Sequence, residues 1–137
     1  MLRAFIDTNV FVYAIDPTEP EKRERARDVL ASHGRTRTGV ISTQVVAEFT
    51  SVVSAKLRQT GAEGEAVRHA RAMLDVWPVL AVDARTVSVA LEIRERHMLS
   101  YWDAQILASA VLDGCDTVLT EDVPASHLLG VSYVDPF

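Results

Sequence analysis

With 137 residues, the chain is long enough for one domain with a core of its own. Apolar residues make up 48% of it and charged residues 24%, the balance of a globular protein rather than a disordered or fibrous one. Fourteen basic against 19 acidic residues leave a net charge of −5, which argues against a surface built throughout to hold nucleic acid.

In chain order, short apolar runs alternate with longer amphipathic ones. "RAFI" (3–6) reads as a strand, and it runs straight into Asp7, Thr8 and Asn9 before an apolar run resumes over Val10 to Ile15. "EPEKRERARDVLASHG" (19–34) reads as a helix, with Pro20 and acids at its start and Gly34 at its end. "GRTRTG" (34–39) reads as a solvated loop, and "TGVI" (38–41) as a second strand. "STQVVAEFTSVVSAKLRQTG" (42–61) is a helix with Ser42 or Thr43 as N-cap and Gly61 as its stop. "EGEAVRHARAMLDVW" (63–77) is a helix ended by Pro78, and "VLAV" (79–82) is a strand. "DARTVSVALEIRERH" (83–97) is a helix capped by Asp83, and "SYWDAQILASAVLDG" (100–114) is a short apolar helix. "TVL" (117–119) and "VSYV" (131–134) are the last strands.

No repeat, low-complexity stretch or Pro/Gly-rich linker breaks the pattern, so a single domain over 1–137 is expected. Strands alternating with helices imply right-handed crossovers and a mostly parallel sheet covered on both faces. Such sheets form their sites at the carboxyl ends of the strands, where Asp7 follows "RAFI" and Glu121 and Asp122 follow "TVL".

The longest apolar run, Val10 to Ile15, falls far short of the roughly eighteen residues of a membrane span, and Asp7 stands where a secretory signal needs apolar residues. The single cysteine, Cys115, excludes an internal disulfide and suits a reducing compartment, so a cytoplasmic protein is expected. Cys115 itself reads as a small buried apolar side chain. Twelve of the 14 cations are arginine, suited to bidentate pairing with phosphate or carboxylate, so a basic groove beside an acidic site stays open.

Four acids stand out by context. Asp7 ends an apolar strand, where it either caps the next helix or serves a site. Glu48 sits at the margin of an apolar stripe of Val45, Phe49, Val52, Val53 and Leu57, so it either reaches solvent past the edge or faces a site. Asp103 shares a face with Ile106, Leu107 and Ala110, and an acid on an apolar face needs a partner. "SYWD" also has the form of a capping box, with Ser100 as N-cap, and capping and metal binding are compatible. Asp122 follows a strand, as a turn acid or a site acid, with Glu121 competing for the same role. Carboxylates gathered without a lysine repel one another, and a hard divalent cation such as Mg²⁺ or Mn²⁺ relieves the conflict. His33, His69, His97 and His127 lack the spacing of zinc ligands, and there is no Gly-rich phosphate loop.

"FIDTNVFVYA", "STQVVAEF", "LSYWDAQILASA", "VLTED" and "VSYVDPF", in this order from end to end, resemble the PIN-domain ribonucleases, and within them the VapC-type toxins of bacterial toxin–antitoxin pairs. The resemblance implies a three-layer α/β/α sandwich with a short, mostly parallel sheet. By motif it implies that Asp7, Glu48, Asp103 and Asp122 form a Mg²⁺- or Mn²⁺-binding catalytic site, with Asn9 and Thr120 as polar supports. It also implies an RNA substrate, a cognate antitoxin and a homodimer. The expected activity is endoribonucleolytic hydrolysis, in which the metal acidifies a water that attacks phosphorus in line. A receiver-like phosphoacceptor needs a lysine at the end of a late strand, yet Lys22 and Lys56 both fall in helices. A phosphatase with an aspartyl nucleophile needs a second acid where Asn9 stands. A non-catalytic interaction protein would have no need of all four acids.

Overall fold

The first strand, β1 (Ala4–Ile6), is buried along its whole length in the middle of a six-stranded sheet. A computed structural model of the chain describes residues 2–137. After β1 come α1 (Thr8–Tyr13), α2 (Pro20–Thr36), β2 (Gly39–Ser42), α3 (Thr43–Leu57), α4 (Glu63–Val76) and β3 (Val79–Leu80). The second half contributes α5 (Ala84–His97), α6 (Tyr101–Leu112), β4 (Thr117–Leu119), β5 (His127–Leu128) and β6 (Val131–Val134). The strand order is β3-β2-β1-β4-β6-β5, parallel except for β5, which pairs antiparallel with β6. The expected mostly parallel sheet is present.

Connections from β1 through β2 to β3 step one way across the sheet, and the return to β4 reverses direction. With right-handed crossovers, α1 to α4 then cover one face and α5 and α6 the other. The packing agrees: α1 lies against α2 and α3, and α3 against α4, while α5 packs on α6. Phe5, Ile6, Val40, Ile41 and Val118 from the strands meet Val45, Phe49, Val53 and Leu107 from the helices, all essentially inaccessible to solvent. Because the crossovers leave β1 and β4 in opposite directions, a crevice opens at their carboxyl ends.

Several elements depart from the sequence reading. A helix, α1, occupies the apolar run after Asp7; Val10, Phe11, Val12 and Ala14 are all buried, so it has no polar face to reveal a helical period. The second helix runs through Gly34 to Thr36 and closes on Arg37 in the left-handed region at φ 56°, so the arginine-rich loop shrinks to its last residues. Strand β3 is two residues long, not four. Strand β5 joins β6 through Leu129 and Gly130, both at positive φ (51° and 80°), the backbone of a tight hairpin turn. Val52, placed in the buried stripe of α3, is 41% exposed, and Val46 is buried instead. The caps at Asp83 and Ser100 and the stop at Gly61 form as expected.

Candidate active site

Ile6 and Leu119, the last residues of β1 and β4, are level in the parallel register, so Asp7 and Thr120 leave the sheet side by side. The Asp7 amide donates to the Leu119 carbonyl at 3.0 Å. Asp7 Oδ2 accepts from Thr120 Oγ1 (2.8 Å) and Oδ1 from the Thr8 amide (2.7 Å). Thr120 Oγ1 accepts in turn from Asn9 Nδ2 (3.2 Å) and the Asp122 amide (3.1 Å), and Asn9 Oδ1 accepts from the Glu121 amide (3.3 Å). Both readings of Asp7 therefore hold in the geometry: it caps α1 and it faces the crevice. Burial raises its pKa above the ordinary carboxylate value; the bonds from Thr8 and Thr120 oppose the rise, and the charges on Glu48 and Asp103 add to it.

Glu48 is held at both oxygens. Thr8 Oγ1 donates to Oε2 at 3.0 Å and Gln44 Nε2 to Oε1 at 2.8 Å. Gln44 also donates to the Trp102 carbonyl (3.3 Å) and accepts from Gln105 Nε2 (2.8 Å), and Gln105 accepts from the Tyr101 hydroxyl (2.7 Å). A relay of buried amides thus fixes Glu48 from α6. Asp103 receives only half of its capping box: its amide donates to Ser100 Oγ at 3.2 Å, and its carboxylate makes no hydrogen bond among the described residues. The Asp122 carboxylate is likewise without a partner there. Glu121 is engaged elsewhere, by Lys22 and by the Tyr13 hydroxyl (2.7 Å), and chiefly its bond with Lys22 holds its pKa below the ordinary value.

Asp7, Glu48, Asp103 and Asp122 line one cleft of about 290 Å³, with Asn9 beside them. One lysine does reach it: Lys56 stands on the wall, paired with Asp16 at 3.3 Å. The Tyr133 hydroxyl, near enough to feel Asp103 and Asp7, is buried with no hydrogen-bond partner among the described residues; burial, then those two charges, push its pKa up to about 12. Among the described residues, no three His, Cys, Asp or Glu side chains close to the spacing of a metal shell.

The family model for the PIN domain matches residues 4–126. This chain belongs to the PIN-domain family. No curated protein matches it. Solved structures do. The DNA-bound VapBC from Salmonella typhimurium is similar over 100% of both chains, with a TM-score of 0.75 at 19% identity. VapC20 of Mycobacterium tuberculosis, described as a toxin that cleaves the sarcin–ricin loop, is similar over 94% of this chain and 98% of its own, with a TM-score of 0.70 at 22% identity. A toxin–antitoxin complex from Klebsiella pneumoniae gives 0.67 at 19% identity over 98% of each chain. At such identities the likeness is one of fold.

The sequence reading of this PIN domain passed over the polar residues that brace its acids. Thr8, Gln44 and Gln105 are each at most 7% exposed. A glutamine inside an apolar helix is the legible signal, because a buried amide requires partners. Tyr133 gave no such signal, being an ordinary strand residue in "VSYV".

Proposed function

We propose that this PIN domain is an endoribonuclease that hydrolyses RNA phosphodiester bonds with Mg²⁺ or Mn²⁺, and that it is the toxin of a toxin–antitoxin pair. One observation carries the reading: four acids from β1, α3, α6 and the loop after β4 share the crevice at the switch point, and none of the four pairs with a cation among the described residues. The donors fit a hard divalent ion, which takes carboxylate oxygens. Although no three such side chains among the described residues form a closed shell, the Asp103 and Asp122 carboxylates accept no hydrogen bond there that would hold them back. Asp7, Glu48, Asp103 and Asp122 would hold the ion; when bound, it supplies an acidified water and neutralises charge on the phosphate.

The chain's own residues do the positioning. Thr120 and the Thr8 amide fix the plane of the Asp7 carboxylate, and both bonds favour its charged form. Thr8 and Gln44 aim Glu48. Asn9 ties the loop after β4 to the start of α1, holding Asp7 and Asp122 at a fixed separation. Lys22 draws Glu121 aside, which leaves Asp122 on the cleft.

A partner is part of the proposal. An apolar groove of about 560 Å³ between Phe11, Leu30, Met73, Val76 and Trp77 offers a seat for the amphipathic segment of a cognate antitoxin. No helix among the described residues is long and apolar enough to cross a membrane. The purified protein, incubated with single-stranded RNA, should cleave internally, stop in EDTA, and resume on addition of Mg²⁺ or Mn²⁺. Undiminished cleavage after verified metal removal would sink the metal-dependent reading, and trapping of an acyl phosphate would favour a phosphoacceptor.

A further inference from the structure

Trp102, at the start of α6, is 61% exposed although it is one of the two tryptophans in the chain. It lines the acidic cleft, and together with Gln44 and Glu48 it also lines a second groove of about 630 Å³, so the indole borders both spaces. The rest of that groove is Thr43, Ala47 and Ser51 on α3, Val82, and Gln105 on α6. The ring is not loose. Tyr101 meets it edge-on, with centroids 5.3 Å apart and planes at 82°, and the Tyr101 hydroxyl is anchored on Gln105. The Trp102 carbonyl is anchored by Gln44. A rigid, exposed aromatic face directly beside the residue that supplies Asp103 has the form of a base-stacking surface.

We infer that Trp102 stacks a nucleobase of single-stranded RNA next to the cleaved bond, and that the groove beside it receives that base. The inference rests on the ribonuclease reading. The contact that the exposed indole offers a base is stacking, which does not depend on the base edge. All four bases should therefore be accepted at that position. Trp102 binds the substrate through its base and leaves the reacting phosphate to the acids, so its loss should appear in KM.

The test uses the full chain and single-stranded oligoribonucleotides in which one base at a time, on either side of the cleaved bond, is replaced by an abasic site. For the unaltered protein, one flanking abasic position raises KM between about 5-fold and about 150-fold, the worth of one stacked base. Trp102→Ala raises KM on intact RNA by a similar factor and no longer distinguishes that abasic RNA from intact RNA. Trp102→Phe falls between, and melting temperatures of both variants show that the fold is kept. Trp102→Ala and abasic losses that simply multiply would overturn the inference, as would a Trp102→Ala variant with unchanged KM, or one whose only change is in assembly state. If the unaltered protein cleaves no RNA, the ribonuclease reading itself fails and takes this one with it.

Discussion

Gln44→Met removes the middle of the amide relay while nearly conserving volume. Two bonds of ordinary length vanish: one to the Glu48 carboxylate at 2.8 Å and one from Gln105 at 2.8 Å. The first, charge-assisted, contributes about 1.5–3 kcal/mol, and the second about 0.5–1.5 kcal/mol. The longer bond to the Trp102 carbonyl, at 3.3 Å, is counted as nothing. Burying a thioether in place of an amide returns about 1 kcal/mol. The net cost is about 1–3.5 kcal/mol, a fall of roughly 3–17 °C in Tm for a domain of this size. Urea melts of Gln44→Met, Gln105→Met and the double variant measure it. In the Gln105→Met background the Gln44 change should cost about 1 kcal/mol less, because the Gln105 amide is then no longer stranded without an acceptor. A single-variant cost below about 1 kcal/mol, or strict additivity, would refute the idea that this relay is a connected structural support for Glu48.

Three further outcomes are expected. In EDTA, Asp7→Asn should be more stable than the parent at neutral pH: the raised Asp7 pKa means that its ionised form costs stability above the folded value, and the advantage should disappear below the unfolded value of 3.8. Urea melts across pH decide this, and an equal loss at every pH would show instead that the bond from Thr120, which an amide nitrogen cannot accept, dominates. Gly39→Ala should cost about 1–3 kcal/mol in the same melts, because its Cβ would stand 2.8 Å from both Ile6 Cδ1 and the Trp77 ring. Cys115, buried and with its thiol pushed up to about 11, should react with iodoacetamide at pH 8 roughly 100-fold more slowly in the native protein than in urea; equal rates would contradict its burial.

What was legible in the sequence followed from periodicity and chain order. Alternating apolar and amphipathic runs gave the parallel sheet and most helices, because period is a direct image of which face is buried. Only the capping reading of Asp7 hinted at α1, because a six-residue helix buried nearly all round carries no period to read. The β5–β6 hairpin was hidden because its turn uses Leu129 in a left-handed conformation, where Asn or Asp is the usual signal. The extension of α2 past Gly34 shows that this glycine keeps helical backbone, and the chain turns left-handed only at Arg37. Of the site, the six named residues do converge: Asp7, Asn9, Glu48, Asp103 and Asp122 line the cleft and Thr120 holds Asp7. Asp122 lines the cleft while Glu121 bonds Lys22 and Tyr13, a difference between two adjacent acids that no sequence signal carries. Lys56 escaped for the same reason, because a lysine in a helix gives no hint that it will reach a cleft.

The most direct measurement is the rate of single-stranded RNA cleavage by Asp7→Asn at saturating Mn²⁺, with Mn²⁺ binding followed by calorimetry on the same sample. Asparagine keeps the size of the side chain and its capping of α1 but removes the anionic ligand. Cleavage slowed by more than roughly a hundredfold, with weakened Mn²⁺ binding and an intact fold, is the predicted result. Near-normal cleavage by Asp7→Asn would contradict it and leave Asp7 as a helix cap alone.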